Sequence, residues 1–222
     1  MGTLVVFDLD GTLVDSSRDI ASAANAALQQ VAPGTPEIPL PVVIGFVGEG
    51  ARLLIERSLR HAGLELSVEE VLPVFLGCYR ERLLATTRLY EGVADALLAL
   101  RGRSLAVLTN KPAALSRAIL EGLGVSSLFA RIWGPEDVPA RKPDPAGLLL
   151  LLAELGVPPA QAWMVGDSPV DVRTARAASV RVAGALWGLD PAGLRAAEPD
   201  RLLSHPRELT ALGKDPARDA VC

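Results

Sequence analysis

The chain opens on an unbroken apolar run, Leu4-Val5-Val6-Phe7, that stops abruptly at Asp8. Four consecutive apolar positions without a polar alternate fit a strand covered on both faces, as in a parallel sheet. The same texture returns at Leu105–Thr109, Ala162–Gly166 and Val180–Leu186, with a shorter run at Ile132-Trp133. Helical patterns separate these runs at Asp95–Leu100, Pro112–Leu123, Pro145–Leu155 and Val170–Ala178, which supply the crossovers of an α/β sheet. Between residues 16 and 86 no strand pattern appears. Ile20, Ala23, Ala24, Ala27, Leu28 and Val31 recur at helical spacing, with Ser16 or Ser17 placed as N-cap. Pro33, Gly34, Pro36, Pro39 and Pro41 then make an irregular connection. A second helix reads through Ala51, Leu54, Ile55, Ser58, Leu59 and Ala62, and Ser67-x-x-Glu70 forms a capping box before a third that includes Phe75 and Cys78. Pro73 is expected to kink or delay that third helix.

These patterns predict an α/β fold, a Rossmann-like doubly wound parallel sheet with an inserted helical subdomain. Residues 1–15 and 87–222 form the core and 16–86 the insertion, with hinges near Val14–Ser17 and Thr86–Tyr90. At 222 residues and 50% hydrophobic content, the chain can bury a sizeable core. The tail from Lys214 to Cys222 is polar and expected to fray. A net charge of −4 without a basic cluster argues against nucleic acid and anionic membrane as partners. Cys78 and Cys222 make no disulfide or metal-ligand pattern, which suits a reducing cytoplasm. Asp8 interrupts the N-terminal apolar stretch too early for a signal peptide, and Leu148–Leu152 is too short to span a bilayer. The chain begins Met-Gly, but Val6 stands where a myristoylation signal requires Ser or Thr. A soluble, cytoplasmic protein is the expectation; oligomeric state is open.

The predicted strands end on chemistry. Asp8 and Asp10 follow the first, and two carboxylates turned toward one centre repel unless a cation lies between them, most simply a magnesium ion (Mg2+). Gly11 allows a sharp turn whose N–H groups face an anion. Thr109 and Asn110, Lys142, and Asp167 lie at later strand ends, and ligands of open parallel sheets bind beyond those ends. A hydroxyl, neighbouring N–H groups and an ammonium suit phosphate oxygens, while the carboxylates hold a metal. Gly166-Asp167-Ser168-Pro169-Val170-Asp171 adds a second acidic pair across a strand-to-helix turn. Each piece has a plainer reading: a surface turn, a helix cap at Thr109-Asn110, a solvated Lys142, acids complementing a helix dipole. None of these explains why all four groups fall at strand ends of one chain. A further bias is that nineteen of the basic residues are Arg and only three are Lys, two of them preceding Pro, as Lys111-Pro112 and Lys142-Pro143.

Phe7-Asp8-Leu9-Asp10-Gly11-Thr12, Leu108-Thr109-Asn110-Lys111, Lys142-Pro143-Asp144-Pro145 and Val165-Gly166-Asp167-Ser168-x-x-Asp171 resemble, in order and spacing, the four motifs of the haloacid dehalogenase (HAD) superfamily. The resemblance covers essentially the whole chain, with residues 16–86 as the helical cap. It implies that Asp8 is the nucleophile and Asp10 the general acid/base. Thr109 and Lys142 would bind phosphate, and magnesium would rest on Asp8, the Asp10 carbonyl and Asp167, with Asn110, Ser168 and Asp171 in support. The dehalogenases of the superfamily lack an acid at the position of Asp10, so the resemblance favours a phosphatase. Its phosphonatase branch uses a cap lysine, and residues 16–86 contain none. Val47-Gly48-Glu49-Gly50-Ala51-Arg52, continuing to Leu59, is similar to the cap of phosphoglycolate phosphatases; Trp187-Gly188 fits the same branch. In that reading Gly48 and Gly50 bring backbone close over a small substrate. Glu49 lies between them, and Arg52 or Arg57 is a candidate partner for a carboxylate such as that of 2-phosphoglycolate, against the commoner reading of both as solvated charges. Ala177-Ala178-Ser179 stands where relatives have Ala-Gly, a departure that touches helix termination.

The leading expectation is magnesium-dependent hydrolysis of a small phosphate monoester. β-Phosphoglucomutase-like phosphoryl transfer, or a phosphatase for sugar phosphates, nucleotides or pyrophosphate, uses the same core. A phospho-acceptor signalling or binding module is the non-enzyme alternative, though its acidic pair, acceptor Asp, Thr and Lys occur in another order.

Overall fold

The computed structural model describes residues 3–212; the Lys214–Cys222 tail lies outside the described residues. In chain order the elements are β1 (Leu4–Phe7), β2 (Val14–Asp15), α1 (Ser17–Val31), α2 (Leu40–Ile44), α3 (Ala51–Ala62), α4 (Val68–Glu81), β3 (Arg88–Leu89), α5 (Val93–Ala99), β4 (Ser104–Leu108), α6 (Ala113–Gly122), β5 (Arg131–Trp133), α7 (Ala146–Leu155), β6 (Ala162–Gly166), α8 (Pro169–Ala177), β7 (Arg181–Ala185), α9 (Pro191–Ala196) and β8 (Arg201–Leu203). Six strands form one parallel sheet in the order β5-β4-β1-β6-β7-β8. β1 is therefore the point from which the sheet grows both ways, and it pairs with β4 on one side and β6 on the other. Such a switch point is where open α/β sheets bind ligands.

The apolar strand runs are explained by burial on both faces. Val5 and Phe7 enter one hydrophobic cluster with Leu105, Val107 and Val165, while Leu4 and Val6 enter another with Ala106, Met164 and Val182. Every second side chain serves a different layer, so none is left to be polar. The short β8 and α9 escaped sequence patterning because two of three β8 residues are exposed and α9 spans less than two turns.

In the insertion, α1 packs along α4 through Ile20, Ala24, Ala27 and Leu28 against Val71, Phe75 and Tyr79. The capping box at α4 is formed: Glu70 N–H donates to Ser67 Oγ and Ser67 N–H donates to the Glu70 carboxylate, both at 3.2 Å. The helix runs from Val68 through Pro73 to Glu81, so the proline does not delay it. The N-cap of α1 falls at Ser16, one of the two expected positions, but its side chain does not cap. Its hydroxyl donates to Asp10 instead.

Where hinges were expected, β2 and β3 pair as an antiparallel ribbon, Val14 opposite Leu89 and Asp15 opposite Arg88. Beside it, buried Asp19 accepts from the backbone N–H and hydroxyl groups of both Thr86 and Thr87 at 2.7–3.0 Å. Burial alone would raise this carboxyl; the donors from Thr86 and Thr87 outweigh it and hold Asp19 below the usual carboxylate range.

Candidate active site

Three adjacent strands, β4, β1 and β6, end on Thr109, Asp8 and Asp167, and Lys142 arrives from the loop after β5. All four side chains are buried. Lys142 Nζ lies 2.9 Å from Asp8 Oδ1 and 2.7 Å from Asp171 Oδ1. Asp171 lies in the first turn of α8, and Ser168 donates to its other oxygen through both N–H and hydroxyl, at 3.2 and 2.7 Å. Carboxylate oxygens of Asp8, Asp167 and Asp171 lie within 4.8 Å of one another. Burial pushes Asp8 up to about 6 despite the pull of Lys142. Burial, then the charges of Asp171 and Asp8, push Asp167 well above its ordinary value. For Lys142 burial works downward, but Asp171 and Asp8 prevail and hold it high. Three clustered, buried acids beside one ammonium leave a negative excess, and a divalent cation with oxygen ligands fits it.

Glycines make this density possible. Gly11 has φ +80°, and a Cβ there would fall 2.0 Å from Asp167 Oδ2. A Cβ on Gly166 would fall 2.2 Å from Asp171 Cγ. The Gly11 N–H, expected to face an anion, donates instead to the Val14 carbonyl at 2.9 Å, so what Gly11 contributes is room for Asp167 and a left-handed turn. Thr109 and Asn110 do not cap α6, whose N-cap is Pro112. Thr109 Oγ accepts from Lys111 N–H at 3.2 Å. Asn110 Nδ2 donates to the carbonyls of Lys142 and Gly48, at 2.9 and 3.1 Å, and its buried Oδ1 has no partner among the described residues.

Asp10 is turned away from this cluster. Its two oxygens lie 2.9 and 3.0 Å from Lys111 Nζ, and Ser16 donates to Oδ1. Lys111 Nζ in turn donates to the hydroxyl of Tyr79 on α4, at 2.6 Å. Lys111 and Tyr79 were missed as site residues, and the only sequence signal was the scarcity of lysine. Leu189 and Trp187 were missed too. Leu189 N–H donates to Asp167 Oδ2 at 2.7 Å, and Trp187 Nε1 holds the Thr12 carbonyl at 3.0 Å.

Two spaces open at the seam between core and insertion. A chamber of about 40 Å3 is lined by Asp8, Asp10, Thr109, Asn110, Gly48 and Gly50 together with apolar residues of α3, α4 and α6. A cleft of about 410 Å3 lies across Asp10, lined by Glu49, Arg57, Asp167, Ser168 and Arg173. Arg57 pairs with Glu49 at that cleft. Arg52 pairs with Glu69, half exposed and lining neither space. No helix among the described residues is long and apolar enough to cross a membrane.

The family model of haloacid dehalogenase-like hydrolases matches residues 5–185. The chain is 37% identical to a phosphoglycolate phosphatase of Pseudomonas putida, covering 96% of this chain and 80% of that protein. It is 42% identical to a phosphoglycolate phosphatase of Rhodospirillum rubrum, covering 85% and 81%. A crystal structure of a predicted phosphoglycolate phosphatase from Haemophilus somnus superposes with a TM-score of 0.89 at 32% identity, over 95% of this chain and 97% of that one. Motif, fold and site agree with these matches: the chain belongs to the haloacid dehalogenase-like hydrolases.

Proposed function

We propose that this protein is a magnesium-dependent phosphatase that hydrolyses a small phosphate monoester, with 2-phosphoglycolate the leading substrate, through an aspartyl-phosphate on Asp8. The observation that carries this reading is the separation of Asp8 from Asp10. One carboxylate sits among Lys142, Asp167 and Asp171, and the other, two residues on, is held by Lys111 and Ser16. Two acids in different surroundings suit two tasks.

Asp8 attacks phosphorus, and the bond from phosphorus to the ester oxygen breaks as Asp10 delivers a proton to that oxygen. Asp10 then takes a proton from the water that cleaves the aspartyl-phosphate, which releases phosphate and restores Asp8. Lys142 stays beside Asp8 throughout, and it offsets the repulsion between an anionic nucleophile and phosphoryl oxygens. Asp8, Asp167 and the Asp10 carbonyl would hold magnesium, with Asp171 close by, and the ion supplies charge neutralisation for the phosphoryl group. Thr109 supplies a hydroxyl to the phosphoryl oxygens, and the unpartnered Asn110 Oδ1 is an acceptor for a water proton. Residues 16–86 act as a cap whose loop at Gly48 and Gly50 covers the chamber. A cytoplasmic setting suits the free thiol of Cys78.

The test is a panel of phosphomonoesters assayed with and without magnesium. The expected outcome is magnesium-dependent phosphate release, fastest with 2-phosphoglycolate, that falls by at least about 10⁴-fold in Asp8→Asn. Absence of turnover on every ester, or undiminished turnover in Asp8→Asn, overturns the reading; an isomerised sugar phosphate in place of free phosphate selects the mutase.

A further inference from the structure

Phosphoryl transfer as described leaves one buried cation without a ligand. Lys111 follows Asn110 in the loop after β4, with a side chain 5% exposed, and it borders the 40 Å3 chamber. Its ammonium holds Asp10 and donates to the Tyr79 hydroxyl. An ammonium has donors only, so the Tyr79 oxygen is the acceptor in that bond and the phenolic proton remains to be given. Burial holds Tyr79 in its protonated form, and among the described residues its hydroxyl donates to nothing. A buried donor without an acceptor is unfavourable, and a ligand oxygen removes that penalty.

The chamber that this pair borders carries apolar side chains, Leu54, Phe75 and Leu115, beside the polar groups of Asp8, Asp10, Thr109 and Asn110. A phenolic proton beside an ammonium suits a negatively charged oxygen as acceptor. Lys142 is committed to Asp8 and Asp171. Arg57 is tied to Glu49 at the neighbouring cleft, and Arg52 lies outside the chamber beside Glu69. Arg173 lines the cleft and not the chamber, so among the described residues Lys111 is the cation that a second anionic group in the chamber meets. The three Lys111 donors go to the two Asp10 oxygens and to Tyr79, so a ligand oxygen accepts the Tyr79 proton and takes one ammonium N–H in place of an Asp10 oxygen.

We propose that Lys111 and Tyr79 form a carboxylate subsite that determines specificity for a short phosphate ester bearing an acid group, in place of Arg52 or Arg57. The inference rests on the phosphatase reading above and adds to it the residues that recognise the acid. Because Lys111 belongs to the core and Tyr79 to α4, the subsite is complete only where the insertion meets the sheet.

The test compares kcat/KM for 2-phosphoglycolate with that for 2-hydroxyethyl phosphate, an ester of equal length with a neutral end. Wild type, Tyr79→Phe, Lys111→Met, Arg52→Ala and Arg57→Ala are assayed with magnesium, each checked for folding by circular dichroism. Wild type is expected to prefer the acid. Tyr79→Phe lowers that preference roughly tenfold and Lys111→Met up to about a hundredfold, as loss of a charge-assisted hydrogen bond implies. The arginine variants keep it. In an Asp8→Asn background, calorimetric affinities for the two esters give the same ratios without turnover. Equal losses on both esters in Tyr79→Phe and Lys111→Met assign the pair to positioning Asp10 alone and overturn the subsite; so does loss of preference in Arg57→Ala or Arg52→Ala. A wild type that hydrolyses both esters equally overturns the subsite and leaves the phosphatase standing. A wild type that hydrolyses neither overturns both. If Lys111→Met does not fold, Tyr79→Phe decides.

Discussion

Asp8 and Asp10 are separated by one residue, yet they belong to two different regions of the molecule. Asp8 is part of a cluster built wholly from the core, where Lys142, Asp167 and Asp171 converge from neighbouring strand ends. Asp10 lies at the seam, tied through Lys111 to Tyr79 of the helical insertion. The first region is a dense, buried arrangement of charge whose shape depends on the sheet. The second is shared between two bodies of structure and exists only where they touch. The two regions thus meet on one short turn.

The sharpest way to break this contrast is Asp10→Asn. If Asp10 serves as proton carrier while Asp8 attacks, its loss lowers kcat by about 10²–10⁴-fold in steady-state assays, less than the loss of Asp8. An effect equal to that of Asp8→Asn would merge the two roles. Asp19→Ala probes the seam's anchor beside the ribbon. It strips Thr86 and Thr87 of their shared acceptor and should cost roughly 2–4 kcal/mol in denaturant unfolding.

A pH series sharpens the comparison from the other side. Asp8 rises from 3.8 to about 6 in the folded protein, because burial disfavours its anion. A carboxyl raised on folding stabilises the protein at low pH, and that contribution is lost as pH rises through about 6. In chelator, the melting temperature should therefore fall between pH 3.8 and about 6, and added magnesium should recover it above that range, where the carboxylates are free to bind. A chelated protein equally stable at both ends would remove the charge-density argument. The smallest effect lies outside both regions. Ser179 has φ +56° just past α8, where the departure from Ala-Gly was noted, and left-handed backbone favours glycine. Ser179→Gly should raise stability by about 0.5–1 kcal/mol in thermal melts and leave turnover unchanged.

Legibility in the sequence divides along the same line. Strands β1, β4 and β6 were visible because burial on both faces leaves continuous apolar runs, and Asp8, Thr109 and Asp167 mark their ends. The capping box at Ser67 and Glu70 was readable because both of its bonds are local. The place of the Ser16 cap was readable, but its capping bond is not made because the hydroxyl donates to Asp10. The donation from Gly11 to Val14 likewise follows from how the turn closes, which residue type alone does not specify.

The amino-acid order by itself determined the α/β architecture, the helical insertion and the set of acids and lysine that a phosphoryl-transfer site requires. Those follow from periodicity and from residue chemistry, which are properties of short stretches. Tertiary structure alone decided that Asp171 joins Asp8 on Lys142, that Leu189 secures Asp167, and that Lys111 belongs with Tyr79. Each of these pairs residues 22 or more positions apart across elements whose relative placement no local pattern encodes. The reach of a side chain is a few ångströms, so its partners are chosen only once the sheet and the insertion have packed.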